Sequence, residues 1–251
     1  MTSDIITVST GALAHAVETE RVGQLHPVLR ATAEWVDPDE QATPDPHQEL
    51  SAGGLLDGRG RVSARLFDLL PCLCAPSVEY LAYRVIDGRR YTALVAAHGT
   101  GAVLAVREGE TVRIREIARD YLIDALINVL ELQPGTGPLV GVNVDKLRED
   151  NDAILQRATS YEVTQLRAML SRPLIDGIEV TVGVRDEQGR YTTTADQLHI
   201  AEVDWGHFLT YTTGTGRDEE LWGGPATREN VHTAITALSS TLPSAPRRVR
   251  R

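Results

Sequence analysis

The sequence predicts an α+β fold. Two related halves, each a helix, an antiparallel meander and a second helix, are expected to pack with pseudo-twofold symmetry around a central antiparallel sheet. Three observations lead there. The order of structural signals along residues 63–134 recurs along residues 163–243. Within each half, short runs with apolar residues at every second position are joined by turns that contain glycine. Each half also closes on an amphipathic helix that stops before a proline.

Each half opens on an apolar helical stretch, SARLFDLLPCLCAP in the first and EVTQLRAMLSRP in the second. Period-2 strands follow, with Val78, Tyr80 and Ala82 in one half and Ile178, Val180, Val182 and Val184 in the other. Asp87-Gly88 and Gln188-Gly189 are hairpin turns, because glycine reaches positive φ at little cost. Each turn leads into a strand that opens with Tyr-Thr, at Tyr91-Thr92 and Tyr191-Thr192. Two more strands come next: AVLAVR and TVRIRE about Glu108-Gly109, matched with HIAEV and HFLTYTT about Asp204 to Gly206. The closing helices carry Ile123, Leu126, Ile127 and Leu130, then Val231, Ala234, Ile235 and Leu238, with Thr227 as N-cap.

Before the first half stand a strand-like DIITVS, a helical stretch from Gly11 to Val22 and an extended HPVLRATAEWV. The acidic run DPDEQATPDPHQEL breaks regular structure and starts a short helix after Pro46. GTGPLVGVNVDKLREDNDAIL reads as a connector followed by a helix. The whole of residues 1–251 is expected to form one domain, with 244–251 a disordered basic tail.

Composition narrows the function. The net charge of −10 opposes a polyanionic partner, so no nucleic acid is expected. The start MTSDIITVST is unlike a signal peptide, and no apolar run approaches the roughly 20 residues of a membrane span. A soluble cytoplasmic protein without membrane insertion is therefore expected. Cys72 and Cys74 are the only cysteines; they fit a reducing compartment and pack as small hydrophobes.

The search for chemistry yields little. His98-Gly99-Thr100-Gly101, Gly135-Thr136-Gly137 and Gly214-Thr215-Gly216 do not extend into a phosphate-binding motif and read as turns. The seven histidines form no metal-binding spacing, so no metal and no cofactor is expected. No G-x-S-x-G elbow is present, and the apolar setting of the cysteines lacks cations to activate a thiol. His199, Asp204 and His207 are the basis of an alternative reading as a small-ligand-binding or hydrolytic domain. A non-enzymatic protein is the stronger expectation, because a duplicated open sheet leaves faces and edges for a partner. A self-assembling structural protein would use the same edges.

One resemblance covers nearly the whole chain. Gly54, Leu55, Leu56, Asp57, Gly60, Arg61 and Val62, followed by Leu69, Leu70, Leu73 and Pro76, resemble the pattern a-x-G-L-L-d-x-x-G-r-v with L-L-x-x-L-x-x-P of the EspG proteins of actinobacteria. Gly189, Arg190, Thr192, Thr193 and Thr194 meet that family's G-R-x-T-T-T. Asp204, Gly206, His207 and Leu209 meet its next turn, which is shorter here and has His207 in place of the usual Arg. Pro225, Thr227, Ala234, Ile235, Leu238, Leu242 and Pro243 meet its closing pattern. The resemblance implies a cytosolic chaperone of a type VII (ESX) secretion system. Such a protein binds the PPE subunit of a PE-PPE heterodimer, shields its aggregation-prone tip and directs it to the secretion machinery, with no cofactor or reaction. It also implies contact through the central sheet, an early interstrand loop and the C-terminal helical region. On this chain those regions hold Arg89 and Arg90, Gly99 and Thr100, Thr192 and Thr194. Trp205 and Trp222 join them as aromatic anchors. The free protein is expected to be a monomer or a weak homodimer.

Overall fold

The computed structural model describes residues 4–31, 45–86, 89–147 and 161–243. The turn Asp87-Gly88, the acidic run, the helix expected after the connector and the basic tail lie wholly or mostly outside these residues. Strands β1 (Ile6–Ser9), β2 (Val78–Ile86), β3 (Arg89–His98), β4 (Gly101–Glu108), β5 (Thr111–Glu116), β6 (Val140–Asn143), β7 (Asp176–Arg185), β8 (Tyr191–Thr193), β9 (Leu198–Val203), β10 (Gly206–Thr213) and β11 (Glu220–Pro225) form one sheet. Its order is β1-β5-β4-β3-β2-β7-β9-β10-β11-β6, with β8 on the far end of β7, and every pairing in it is antiparallel.

Read outward from the β2·β7 pair, the two flanks have the same connectivity. Each is a meander of consecutive strands whose outermost neighbour, β1 or β6, comes earlier in the chain than the meander itself. The observed pairing corrects the matching of strands made from sequence. β8 pairs as Arg185↔Tyr191 and Gly183↔Thr193, while β9 pairs as Val180↔Leu198 and Asp176↔Glu202. The two-residue change of register is a bulge between two pieces that together run along β7 as β3 runs along β2. HIAEV therefore continues the Tyr-Thr strand, and β10 and β11 take the places that AVLAVR and TVRIRE hold in the other flank.

Two strands escaped the sequence reading. Val140 and Val142 alternate over four residues in the stretch read as connector, too short a run to stand out. β11 contains Gly223 and Gly224, which weaken any strand signal. Both are there for space: a Cβ on Gly223 would lie 2.4 Å from Leu166, and one on Gly224 2.7 Å from the Leu139 backbone.

One face of the sheet carries α5 (Leu122–Leu130) and the closing helix Arg228–Ser240. Leu126, Leu130, Val231, Ile235 and Leu238 pack there against Val95, Leu104, Val180, Val182, Ile200 and Leu209. The closing helix has the four buried positions read from its spacing, and Thr227 accepts from Asn230 N–H as its N-cap. On the other face, α1 (Thr10–Glu20), α2 (Pro46–Ala52), α3 (Ala64–Phe67) and α4 (Leu70–Cys74) cover only the first flank, packing on Leu94, Ala96, Val103, Val112 and Ile114. The expected single helix over 63–76 is two short ones, and Pro71 stands in the first turn of the second. Cys72 and Cys74 belong to this layer. Burial pushes both thiols up, Cys74 to about 11, so they pack as protonated hydrophobes.

One local sequence writes the same turn twice. In DGRGR, Asp57 Oδ1 accepts from Arg59 and Arg61 N–H at 2.8 and 2.9 Å, and Gly60 sits at φ +75°. In DEQGR, Asp186 Oδ1 accepts from Gln188 and Arg190 N–H at 3.0 and 2.8 Å, with Gly189 at φ +80°. These bonds stabilise the carboxylate form. Asp57 is lowered mainly by the Arg61 and Arg59 amides, Asp186 mainly by the Arg190 side chain. Their native state therefore binds fewer protons than the unfolded chain below the ordinary carboxylate value of 3.8. This contribution to stability is present above that value and is lost as the pH falls through the lowered native ones. Thermal melts should show a drop in Tm on acidification below about pH 4, and the drop should shrink in an Asp57→Asn, Asp186→Asn double variant.

Candidate partner-docking face

On the second flank, the face opposite α5 is largely bare among the described residues. Strand alternation puts Glu179 and Thr181 of β7, His199 and Ala201 of β9, and Thr210 and Thr212 of β10 on it. Glu179 and His199 are exposed and the other four half-buried, whereas the alternate residues Ile178, Val180, Ile200 and Leu209 are buried under the helices. The helix Tyr161–Leu170 covers only the outer strands, through Leu166 and Val163 on Val140 and Val142. The result is a polar trough between that helix and the N-terminal layer.

At one end of the trough lies an apolar cluster that the sequence reading did not single out. Leu170, Leu174 and Ile175 are 58%, 67% and 64% exposed. Their loop is held to the β9–β10 turn by Ile175 N–H donating to Glu202 O at 2.9 Å and by the Arg172–Asp204 ion pair at 3.1 Å. Trp205, at the tip of that turn, is half exposed, and the Arg172 guanidinium lies 3.4 Å from its ring centroid. The signal in the sequence was an apolar pair just after Pro173, the proline that ends a helix.

The named residues divide between the two ends of the sheet. Arg89 and Arg90 are exposed at the start of β3, at the same end as Trp205, since Ile86↔Arg89 and Asp176↔Glu202 both close there. Gly99 and Thr100 lie in the β3–β4 turn at the opposite end, where Gly99 O accepts from Arg119. Thr192 is exposed at that end too. Thr194 is 6% exposed, because the bulge turns its hydroxyl inward to accept from Val182 N–H at 3.4 Å; it does not share the exposed strand face expected for it. Trp222 is half-buried. It stacks on Tyr211 at an interplanar angle of 15°, donates to Thr213 Oγ1 at 3.1 Å and overlies Gly141, where a Cβ would meet its ring at 2.9 Å. That is a packing role.

His199, Asp204 and His207 do not come together. His199 faces the trough and His207 the helix-covered side, because they occupy alternate faces of paired strands. Asp204 is held by Arg172. His207 is 5% exposed and knits the exit of α5 to β10: its Nδ1 accepts from Gln133 N–H at 3.0 Å, and its backbone N–H donates to Gln133 O at 2.7 Å. Its Nε2 stands 3.6 Å from Glu202, which also binds Arg84 at 3.0 Å. Among the described residues no group of three or more His, Cys, Asp or Glu is placed to hold a metal ion, and no helix is long and apolar enough to cross a membrane. By urea denaturation, His207→Ala should cost about 0.5–3 kcal/mol, since it removes a buried ring that accepts from Gln133 N–H, whereas His199→Ala should stay within about 0.5 kcal/mol of the parent.

No curated protein sequence matches the chain. Among solved structures, it is similar to the Mycobacterium tuberculosis type VII secretion system chaperone EspG5, determined in complex with a PE25-PPE41 dimer. The TM-score is 0.69 at 17% identity, over 99% of this chain and 100% of that one, and at this identity the likeness speaks to the fold. The model of the EspG family matches residues 9–237. The chain therefore belongs to the EspG family.

Proposed function

We propose that the protein is a cytosolic type VII secretion chaperone. It binds the PPE subunit of a PE-PPE heterodimer, covers that subunit's aggregation-prone tip and delivers it to the secretion machinery. Family membership and a fold shared with EspG5, which was solved with PE25-PPE41, support this reading. The observation that carries it on this chain is the trough with the exposed Leu170, Leu174, Ile175 and Trp205 at one end and Arg89 and Arg90 nearby. Contiguous exposed apolar residues beside a polar face mark an interaction surface. Cations at its rim steer an acidic partner and set its register.

The mechanism needs no chemistry. Holding the client's apolar tip removes it from water and from self-association, and the stabilisation follows mass action. The β9 and β10 surface, the β2–β3 hairpin end and the loop after the 161–170 helix form the interface, while Gly99 and Thr100 lie beyond it in the β3–β4 turn and Thr192, paired with Val184, is on the opposite face of the sheet. The two flanks, with their common connectivity, descend from one unit used twice. The free protein is a monomer or weak homodimer.

Co-expression with a PE-PPE pair from the same genome should give a co-purifying complex. Leu174→Asp combined with Ile175→Asp, both on exposed side chains, should lower the affinity at least about tenfold with Tm unchanged. A full-strength complex with this variant would remove that end of the trough from the interface, and no complex with the parent would refute the chaperone reading.

A further inference from the structure

At the boundary between the N-terminal layer and β7 lies a buried carboxylate that the docking reading does not use. Glu79 of β2 is 2% exposed. Its Oε1 accepts from the Tyr191 hydroxyl and stands 3.2 Å from His26 Nε2, while its Oε2 has no hydrogen-bond partner among the described residues. Burying an ionisable group this way is costly unless its partners compensate. Tyr191 has an unusual seat. The hydroxyl end of its ring lies over Gly183, where a Cβ would fall 2.6 Å from Oη and 2.8 Å from the ring. Yet the residue is 45% exposed, on the trough side of the sheet, with the Arg185 guanidinium 5.2 Å from the ring centroid. β8 pairs with β7 over three residues before the bulge, so the backbone alone holds this ring weakly.

We infer that Glu79 is a positioning residue: through the Tyr191 hydroxyl, and across the space left by Gly183, it fixes the Tyr191 ring as an end wall of the trough that receives an apolar side chain of the client. This rests on the docking reading above. A hydrogen bond from a phenol to a desolvated carboxylate is among the stronger kinds. A ring fixed in advance contributes area to an interface at little entropic cost. Burial and the adjacent Glu79 both push the Tyr191 phenol well above its ordinary range, in keeping with this seat.

The test uses protein carrying 13C at the tyrosine ring ε positions, with the Tyr191 signal assigned by its loss in Tyr191→Phe. Glu79→Leu should shift or broaden that signal in the free protein and weaken client binding about tenfold. Glu79→Gln, which keeps an acceptor, should restore both to near the parent. Should Glu79→Leu fail to fold, Gly183→Ala displaces the ring while leaving the Glu79–His26 pair in place, and the same two changes are expected. An unchanged Tyr191 signal in Glu79→Leu or Gly183→Ala overturns the inference, as does equal weakening of binding by the Gln and Leu variants at position 79. Because the ring signal is read without client, a parent protein that binds no PE-PPE pair would sink the chaperone reading while this arm still decides the role of Glu79.

Discussion

The antiparallel pairing of β2 with β7 is the constraint on which the rest of the structure depends. It runs from Val78↔Val184 to Arg84↔Ile178 and is the place where the two meanders become one sheet. On the helix side the pair contributes Tyr80, Ala82, Val180 and Val182 to the larger core, so α5 and the closing helix can share a floor and touch each other. The seam is clasped by polar contacts at both ends. Arg84 reaches across to Asp176 and Glu202 at one end, and Glu79 accepts from Tyr191 at the other. Each clasp joins a residue of the first flank to residues of the second, and each sits where backbone pairing is about to stop.

Among the described residues the two faces of this sheet are treated differently, and the asymmetry leaves one of them open over the second flank. Both flanks bury their inner face under a helix that follows their own last strand. On the outer face, among the described residues, the first flank is roofed by four helices drawn from the N-terminal part of the chain, whereas on the second flank the helix 161–170 rests only on the outer strands. An antiparallel sheet can leave one face in water if alternate residues are polar, and Glu179, Thr181, His199, Thr210 and Thr212 are what such a face requires. Leu174 and Ile175 remain exposed at one end of this face, in the loop that Arg172 and Ile175 pin to the β9–β10 turn, and Tyr191 at the other.

What the residues disclosed by themselves was local. The period-2 runs marked β2, β7 and most of their neighbours, the i, i+3, i+4, i+7 spacing marked both closing helices, Thr227 marked a cap and Gln188-Gly189 marked a turn. These depend on hydrogen bonds and burial within a few residues, so the sequence carries them. It also carried the family likeness through motifs that prove to be turns, caps and packing positions. β6 was missed because it is short, and β11 because its signal is tertiary: Gly223 and Gly224, like Gly141 in β6, are explained only by Leu166, Leu139 and Trp222 arriving from elsewhere in the chain. The matching of HIAEV failed for a similar reason, since a bulge is defined by the partner strand.

The sequence alone determined the class of fold and, through its motifs, the family. Only the tertiary structure decided which polar residues face a trough and which are clasps. His199 and His207 lie eight residues apart on paired strands, yet the alternation of the sheet sends one to solvent and the other into a buried bond with Gln133. Thr192 and Thr194 share a strand direction, yet the bulge exposes one and buries the other. Burial and pairing belong to the packed molecule, because they are set by side chains a hundred residues away, as Glu79 and Tyr191 are from each other.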